Sequence, residues 1–455
     1  MSPRIRAEGR GRPAIEQMEQ ILQANRRGKA GGIYSICSAN RFVLEAGMLQ
    51  ARRDGSLLLI EATSNQVNQF GGYTGQTPQD FAKLVRKIAI AMKMPLDKVI
   101  LGGDHLGPHV WRKTSSKEAM EKACDLVREY VKAGFTKIHL DASMPCADDA
   151  VKANQPLADE IVSERAAELC EAAESAHRGM SDSAVAPRFV IGTEVPIPGG
   201  EQLGAQAPEV TSTKNLARTI EVAKEAFASR GLRDAWKRVV AVVVQPGVEF
   251  GDASVFHYDA RKAKSLSHFC TKGWKGVYEA HSTDYQTKQG LRRMVGDHFA
   301  ILKVGPWLTF AFREAVSALA TIELELAKLH PEVAPSRVQE SLEKAMLDNP
   351  GYWASYYQGT EEELRFARRY SFSDRVRYYW PVSTVATAVD RLLENLTAHP
   401  APLSLLSQYL PQQAEEVRAG RLVNRPEDLM RHKVLGVIDQ YAFACGMRRE
   451  DEAAC

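Results

Sequence analysis

Ionisable side chains gather where short apolar runs of this chain come to an end. Asp104 and His105 close KVILGGDHLGP, while His139, Asp141 and Ser143 lie in KIHLDASM. Glu194 ends RFVIGTE, and Glu279 and His281 end VYEAHS. Imidazoles and carboxylates brought together from separate strand ends can hold a divalent ion. Zinc on such ligands with one position left open is a catalytic arrangement rather than a structural one. His105 and His281 stand at strand exits and suit ligation best. His139 alternates with Leu140 inside its run, so it points either toward surrounding helices or into the interior. An internal histidine of this kind is expected to be a hydrogen-bonded core residue before it is a ligand.

Other polar groups share the same ends. Glu61 in IEATSNQ, Gln245 in VVQPGVEF and Lys303 in ILKVGP are candidates for substrate contact. Lys303 has two readings, the Schiff-base nucleophile of a metal-free aldolase or a charge partner and substrate contact. The abundance of metal-type residues around it favours the second. Asn40, Ser282 and Asp284 either bind hydroxyls or cap turns. The segment RYSFSDRVRYYWP is read as an amphipathic helix with solvated arginines, or as a wall offering Arg375 or Arg377 to a phosphate. The Val304–Pro306 turn, with a helix after it, is a further place for phosphate on backbone amides.

A frame must bring these ends together. Eight short apolar, β-branched runs begin near residues 32, 57, 98, 137, 188, 239, 276 and 300, with helical periodicity between them. Continuous apolar strands separated by helices imply parallel pairing with both faces covered. Eight such units predict a (β/α)8 TIM barrel, whose C-terminal mouth would collect every one of the ends above. Residues 1–12 read as a flexible basic tail and 13–330 as the barrel. Residues 331–455, without strand signal and broken by prolines, read as a helical extension packed on the barrel.

Composition narrows the class. The net charge of +3 is small for 455 residues, and the basic tail is short and free of aromatics, so no nucleic-acid role is expected. No run is long and apolar enough to span a bilayer, and the tail lacks the apolar stretch of a signal peptide. Seven scattered cysteines without a CxxC pair suggest reduced thiols, hence a cytoplasmic protein. A P-loop and a dinucleotide-binding fingerprint are both missing.

GGDHLGP, KIHLDASM, IGTEVPIPGGE, VVQPGVEF, VYEAHSTDYQ, HFAILKVGPWLTFAFREA, SDRVRYYWP and SQYLPQQ together resemble the GatZ/KbaZ family, from about Gly31 to about Arg449. That family is described as the second subunit of class II tagatose-1,6-bisphosphate aldolase. Some members are D-tagatose-6-phosphate 4-epimerases, and a kinase label also circulates. The resemblance implies a class II aldolase-like barrel with a divalent metal, zinc being the expected ion. By likeness to those aldolases, Asp104-His105 supplies an acid/base group and a metal ligand, and Asp141-Ala142-Ser143 stands for their Asp-Gly-Ser. Glu194 and His281 then match the ligands from the fifth and seventh strands. The eighth strand departs from the pattern with Lys303-Val304-Gly305, and Ser282-Thr283-Asp284 replaces the glycine-rich phosphate loop.

The implied activity is C4 epimerisation of a ketohexose phosphate, D-tagatose 6-phosphate to D-fructose 6-phosphate, in galactitol and tagatose catabolism. The hydrogen at C4 is not adjacent to the carbonyl, so simple deprotonation cannot invert that centre. Retro-aldol cleavage of C3–C4 and re-addition fits a metal-centred barrel better than transient oxidation, for which the dinucleotide fingerprint is missing. His105, His281 and Glu194 are then the expected ligands, and Asp104 and Asp141 the expected proton-transfer groups. Asn40, Glu61, Ser143, Gln245, Ser282, Asp284, Lys303, Arg375 and Arg377 are expected to contact substrate. The rival expectation is a non-catalytic stabilising partner of a separate class II aldolase subunit; a homo-oligomer is expected in either case.

Overall fold

The computed structural model describes residues 12–151, 156–192 and 208–447. Eight parallel strands close into a barrel, and each falls on one of the eight runs read from the sequence. In chain order they are Ile33–Cys37, Leu58–Thr63, Val99–Leu106, Lys137–Leu140, Arg188–Ile191, Val239–Val243, Val277–Ala280 and Phe299–Val304. The last strand pairs with the first, Ser35 opposite Lys303, so no barrel edge is left open. A two-residue hairpin, Glu249–Phe250 with Val255–Phe256, was not foreseen; its strands are too short to carry a periodic signal.

Side chains alternate across each strand, so residues two apart share the interior. That parity sorts the barrel into layers. Ile33, Leu59, Ile100, Val277 and Ile301 form an apolar floor, closed from below by Ile15, Met18 and Leu22 of the helix Ala14–Arg26. Each of these buried side chains contributes about 1.5–3 kcal/mol. Two residues further along the same strands stand Ser35, Glu61, Gly102, Glu279 and Lys303. Another two bring Cys37, Thr63, Asp104, His281 and Gly305, which line the cleft at the barrel mouth. The opposite parity, with Ile36, Ile60, Ile138, Leu140 and Leu302, packs outward under the helices.

Beyond Val304 the described residues hold helices and no strand. The last long helix, Pro426–Ala444, returns to the barrel mouth. Its Arg431 pairs with Glu45 at 2.7 Å, and Tyr441 donates from its hydroxyl to the Thr283 carbonyl at 2.8 Å. It thereby braces the loop after the seventh strand. No described helix is long and apolar enough to cross a membrane.

Candidate active site

Adjacent residues of a regular strand face opposite ways, so Asp104 and His105 cannot both enter the barrel from an undistorted third strand. The strand is not regular there. Its register against the fourth strand shifts between Gly103 and Leu106, and His105 adopts φ 48°, a left-handed conformation that non-glycine residues seldom take. The bulge turns both side chains into the mouth. Such local strain persists only where surrounding structure holds it, and it collects at functional sites. Gly107 completes the arrangement: a Cβ there would lie 1.6 Å from the Asp141 carbonyl oxygen, so only glycine lets the two strand ends meet.

Asp104, His105, His139 and His281 form one buried cluster whose candidate ligand atoms all lie within 4.8 Å of one another. Each imidazole has a carboxylate against one ring nitrogen. His105 Nδ1 is 2.6 Å from Asp141 Oδ2, His139 Nδ1 is 3.0 Å from Asp104 Oδ1, and His281 Nε2 is 3.1 Å from Glu279 Oε1. This backing is what metal-binding histidines usually have, because it fixes the ring and its tautomer. His139 Nε2 is buried without a hydrogen-bond partner, an orphaned nitrogen at the centre of a ligand-rich pocket. Burial lowers the His281 pKa to about 4, keeping the ring neutral and able to donate a lone pair. The donor set fits a divalent metal.

His139 points into the barrel, one of the two directions left open for it, and is both a hydrogen-bonded core residue and a member of this cluster. It shares its parity with Lys137, and both point inward while Ile138 and Leu140 face the helices. Two apolar neighbours facing outward were the available signal. Glu194, the expected third ligand, lies outside the described residues.

Below the cluster runs a buried layer of charge. Lys137 reaches Glu61 Oε1 at 2.7 Å and Glu279 Oε2 at 2.6 Å, all three side chains being 0% exposed. Lys303 contacts Glu61, Asp104 Oδ2 at 3.0 Å and Glu279 Oε1 at 3.8 Å. Ser35 donates to Glu61 at 2.5 Å, and Gly102 leaves room for that carboxylate, since a Cβ there would approach Glu61 Oε1 to 2.6 Å. Burial disfavours the Lys303 ammonium, but Asp104, Glu61 and Glu279 outweigh it and hold the amine well above its ordinary pKa. An amine held protonated in this way is a poor nucleophile, which favours the charge-partner reading of Lys303 over the Schiff-base one. Burial likewise opposes ionisation of Asp104, and Lys303 with the neighbouring histidines overcomes it, leaving a carboxylate.

The upper cleft is lined by Tyr73, Ser282, Asp284, Arg377 and Tyr378. The Arg377 guanidinium donates to the carbonyls of Ser373 and Asp374 and, at 3.1 Å, to the Tyr378 hydroxyl. Its hydrogen-bond partners are neutral oxygens, so the cation faces the cleft with charge to offer an anion. Burial raises the Tyr378 pKa, yet Arg377 and Arg375 together bring it below its ordinary value. The chain here is not a helix with solvated arginines, and of the two arginines read as a wall only Arg377 lines the cleft. It is the single turn Arg375–Tyr378, which divides the pair. Arg375 leaves the cleft, lies 3.2 Å over the Tyr356 ring and donates to the Tyr352 carbonyl at 3.4 Å.

The amides after Val304 do not serve a phosphate. Asp284 Oδ1 accepts from Gly305 N at 3.0 Å and Trp307 N at 2.8 Å, occupying the start of the helix Pro306–Leu329. Burial pushes its pKa up to about 6 despite those donors. Asn40 caps the helix Arg41–Asp54 through Phe42 N and Val43 N, and Gln245 Oε1 accepts from Gly247 N and Val248 N. Neither lines the cleft, and their carbonyls are used in shaping loops. Ser143 donates to Asp141 at 2.6 Å, and Glu61 lies one layer beneath the mouth. Lys137, Tyr73 and Tyr378 were missed, and Glu279, noted at its strand end, was given no role. A lysine inside the run KIHL was a legible sign, whereas Tyr73 sits in an irregular loop that carries no sequence signal.

Comparison with known proteins agrees with the motifs. A family model described as D-tagatose-1,6-bisphosphate aldolase subunit GatZ/KbaZ-like matches residues 18–446. The D-tagatose-1,6-bisphosphate aldolase subunit GatZ of Escherichia coli O1:K1 / APEC is 48% identical over 428 residues, covering 94% of this chain and 100% of that protein. The GatZ of Escherichia coli O6:K15:H31 (strain 536 / UPEC) is equally similar, again 48% identical over 428 residues with the same coverage. A crystal structure described as a probable tagatose 6 phosphate kinase from Sinorhizobium meliloti 1021 has a TM-score of 0.82 and 44% identity, covering 91% of this chain and 100% of that one. With motifs, barrel and relatives aligned over nearly its whole length, the chain belongs to the GatZ/KbaZ-like family.

Proposed function

We propose that this chain is a metal-dependent epimerase that inverts C4 of a ketohexose phosphate, interconverting D-tagatose 6-phosphate and D-fructose 6-phosphate. The observation that carries the reading is the group of three carboxylate-backed histidines around Asp104, beneath a rim that presents Arg377. His105, His139 and His281 would hold the ion, with Glu194 as the expected addition. When bound, a divalent ion of this kind, expected to be zinc, supplies charge stabilisation for oxygens that become negative during cleavage.

The chain's own groups account for the remaining steps. Asp104 takes the proton of the C4 hydroxyl as the C3–C4 bond breaks; the electron pair stays on C3 and C4 becomes an aldehyde. After the aldehyde turns its other face, C3 adds back and the proton returns to the C4 oxygen. Lys303 keeps Asp104 ionised and in place. Asp141, bound to His105 and Ser143, is a positioning residue in this scheme rather than a second proton-transfer group. Arg377 and Tyr378 hold the phosphate end, so that C3–C4 lies over the cluster.

Carbon-13 NMR of D-tagatose 6-phosphate with the purified protein tests the reading. Conversion to fructose 6-phosphate that EDTA abolishes and a divalent metal restores is expected. Arg377→Met should raise KM for the phosphorylated ketose by roughly tenfold or more, the worth of a lost charge-assisted contact. Arg375→Met should leave KM unchanged, and equal effects of the two variants would remove Arg377 from phosphate recognition.

A second reading has its own support: the similar Escherichia coli proteins are described as subunits of an aldolase. If no divalent metal supports conversion, and the protein co-purifies with a class II aldolase whose activity it raises, that role replaces the first.

A further inference from the structure

We propose that His330, Glu332 and His399 form a second metal site, for a zinc-like divalent ion, on the outer surface of the protein. None of the three lines the cleft. The two imidazoles face each other with centroids 4.3 Å apart and planes tilted by 39°, and Glu332 Oε1 lies 3.4 Å from His330 Nδ1. One nitrogen from each ring and one carboxylate oxygen all lie within 4.8 Å of one another.

The backbone prepares this arrangement twice over. His330 follows the helix Pro306–Leu329, and His399 follows the helix Ser383–Ala398; each is succeeded by a proline, Pro331 and Pro400. Proline drives the residue before it out of the helical region. The two histidines accordingly leave their helices in the same conformation, φ −125° and ψ 80° for His330 and φ −124° and ψ 80° for His399. A turn closed by Val333 N donating to the His330 carbonyl at 2.9 Å brings Glu332 back beside the first ring.

Charge favours a cation here. Both helices present their carbonyl ends to the cluster, and such ends carry partial negative charge. Two imidazoles gain little from facing each other and repel if both are protonated, whereas a shared ion uses a lone pair from each. Imidazole donors with one carboxylate select zinc and its transition-metal neighbours over magnesium or calcium. Ligands on one zinc approach to roughly 3–4 Å of each other, a small closure for partly exposed side chains. A bound ion would fasten the helix that follows the eighth strand to the helix that follows the Arg377 turn.

Zinc titration of the EDTA-treated, full-length protein by isothermal calorimetry tests the site. His399→Ala should bind one zinc per chain fewer than the parent, whatever the barrel mouth holds. His139→Ala should keep the outer ion, with zinc raising its Tm by a few degrees. That rise should vanish when His399→Ala or the milder His399→Gln is added. Equal zinc stoichiometry in the parent and both His399 variants, or an undiminished Tm rise in the combined variants, would overturn the proposal.

Discussion

His139→Ala is expected to lose the cleft's bound divalent ion and to lower ketose-phosphate conversion by roughly a hundredfold or more. Removing a group that merely orients a ligand already costs about 10–100-fold, and a ligand should cost at least that. The expectation rests on the orphaned Nε2 and on the Asp104 carboxylate behind the same ring. Metal content, far-UV circular dichroism and turnover of one preparation separate the outcomes. A folded variant that keeps its metal and its rate would return His139 to an ordinary core role and leave His105, His281 and Glu194 as the ligands.

Lys137→Met should cost about 3–5 kcal/mol of folding stability. The Lys137 ammonium is enclosed with Glu61 and Glu279, and its loss leaves two carboxylates sharing Lys303 in a space closed to water. The apolar floor below cannot compensate, because methionine adds only a fraction of one buried side chain. Urea denaturation gives the value directly. Adding Glu61→Gln should recover part of the loss, since a neutral amide no longer needs the missing cation. A single variant within about 1 kcal/mol of the parent would mean that the charges are balanced without Lys137.

The charge layer and the metal-type cluster have a joint consequence. In the proposed reaction Asp104 accepts a proton, so it must remain ionised where burial disfavours it, and Lys303 supplies the counter-charge from the layer below. The layer thus links the stability of the barrel to the carboxylate at its mouth: Lys303, which with Lys137 neutralises Glu61 and Glu279, also holds Asp104 ionised. The same arrangement favours an ammonium at Lys303, the charge-partner role, over a nucleophilic amine.

The barrel was legible because its signal is periodic and local. Eight apolar runs separated by helical spacing leave few topologies, and parity along each run places Glu61, Asp104, His281 and Lys303 on one side of a strand. The sequence also places Asp104, His105, Asp141 and His281 together through the single premise that strand ends converge. Direction and occupancy were decided only by the tertiary structure. His139 could face either way until the packing of Ile138 and Leu140 oriented its strand. Asp104 and His105 share the interior only through a bulge and a left-handed residue, neither of which periodicity encodes. Arg375 and Arg377, two apart in sequence, part company because a single turn sends one to the cleft and the other onto Tyr356. Asp284 occupies the amides that looked open to phosphate, since a buried helix start takes the nearest available carboxylate. Pattern along a chain determines which face a residue shares; what fills the space opposite it depends on segments distant in sequence, and only their packing settles that.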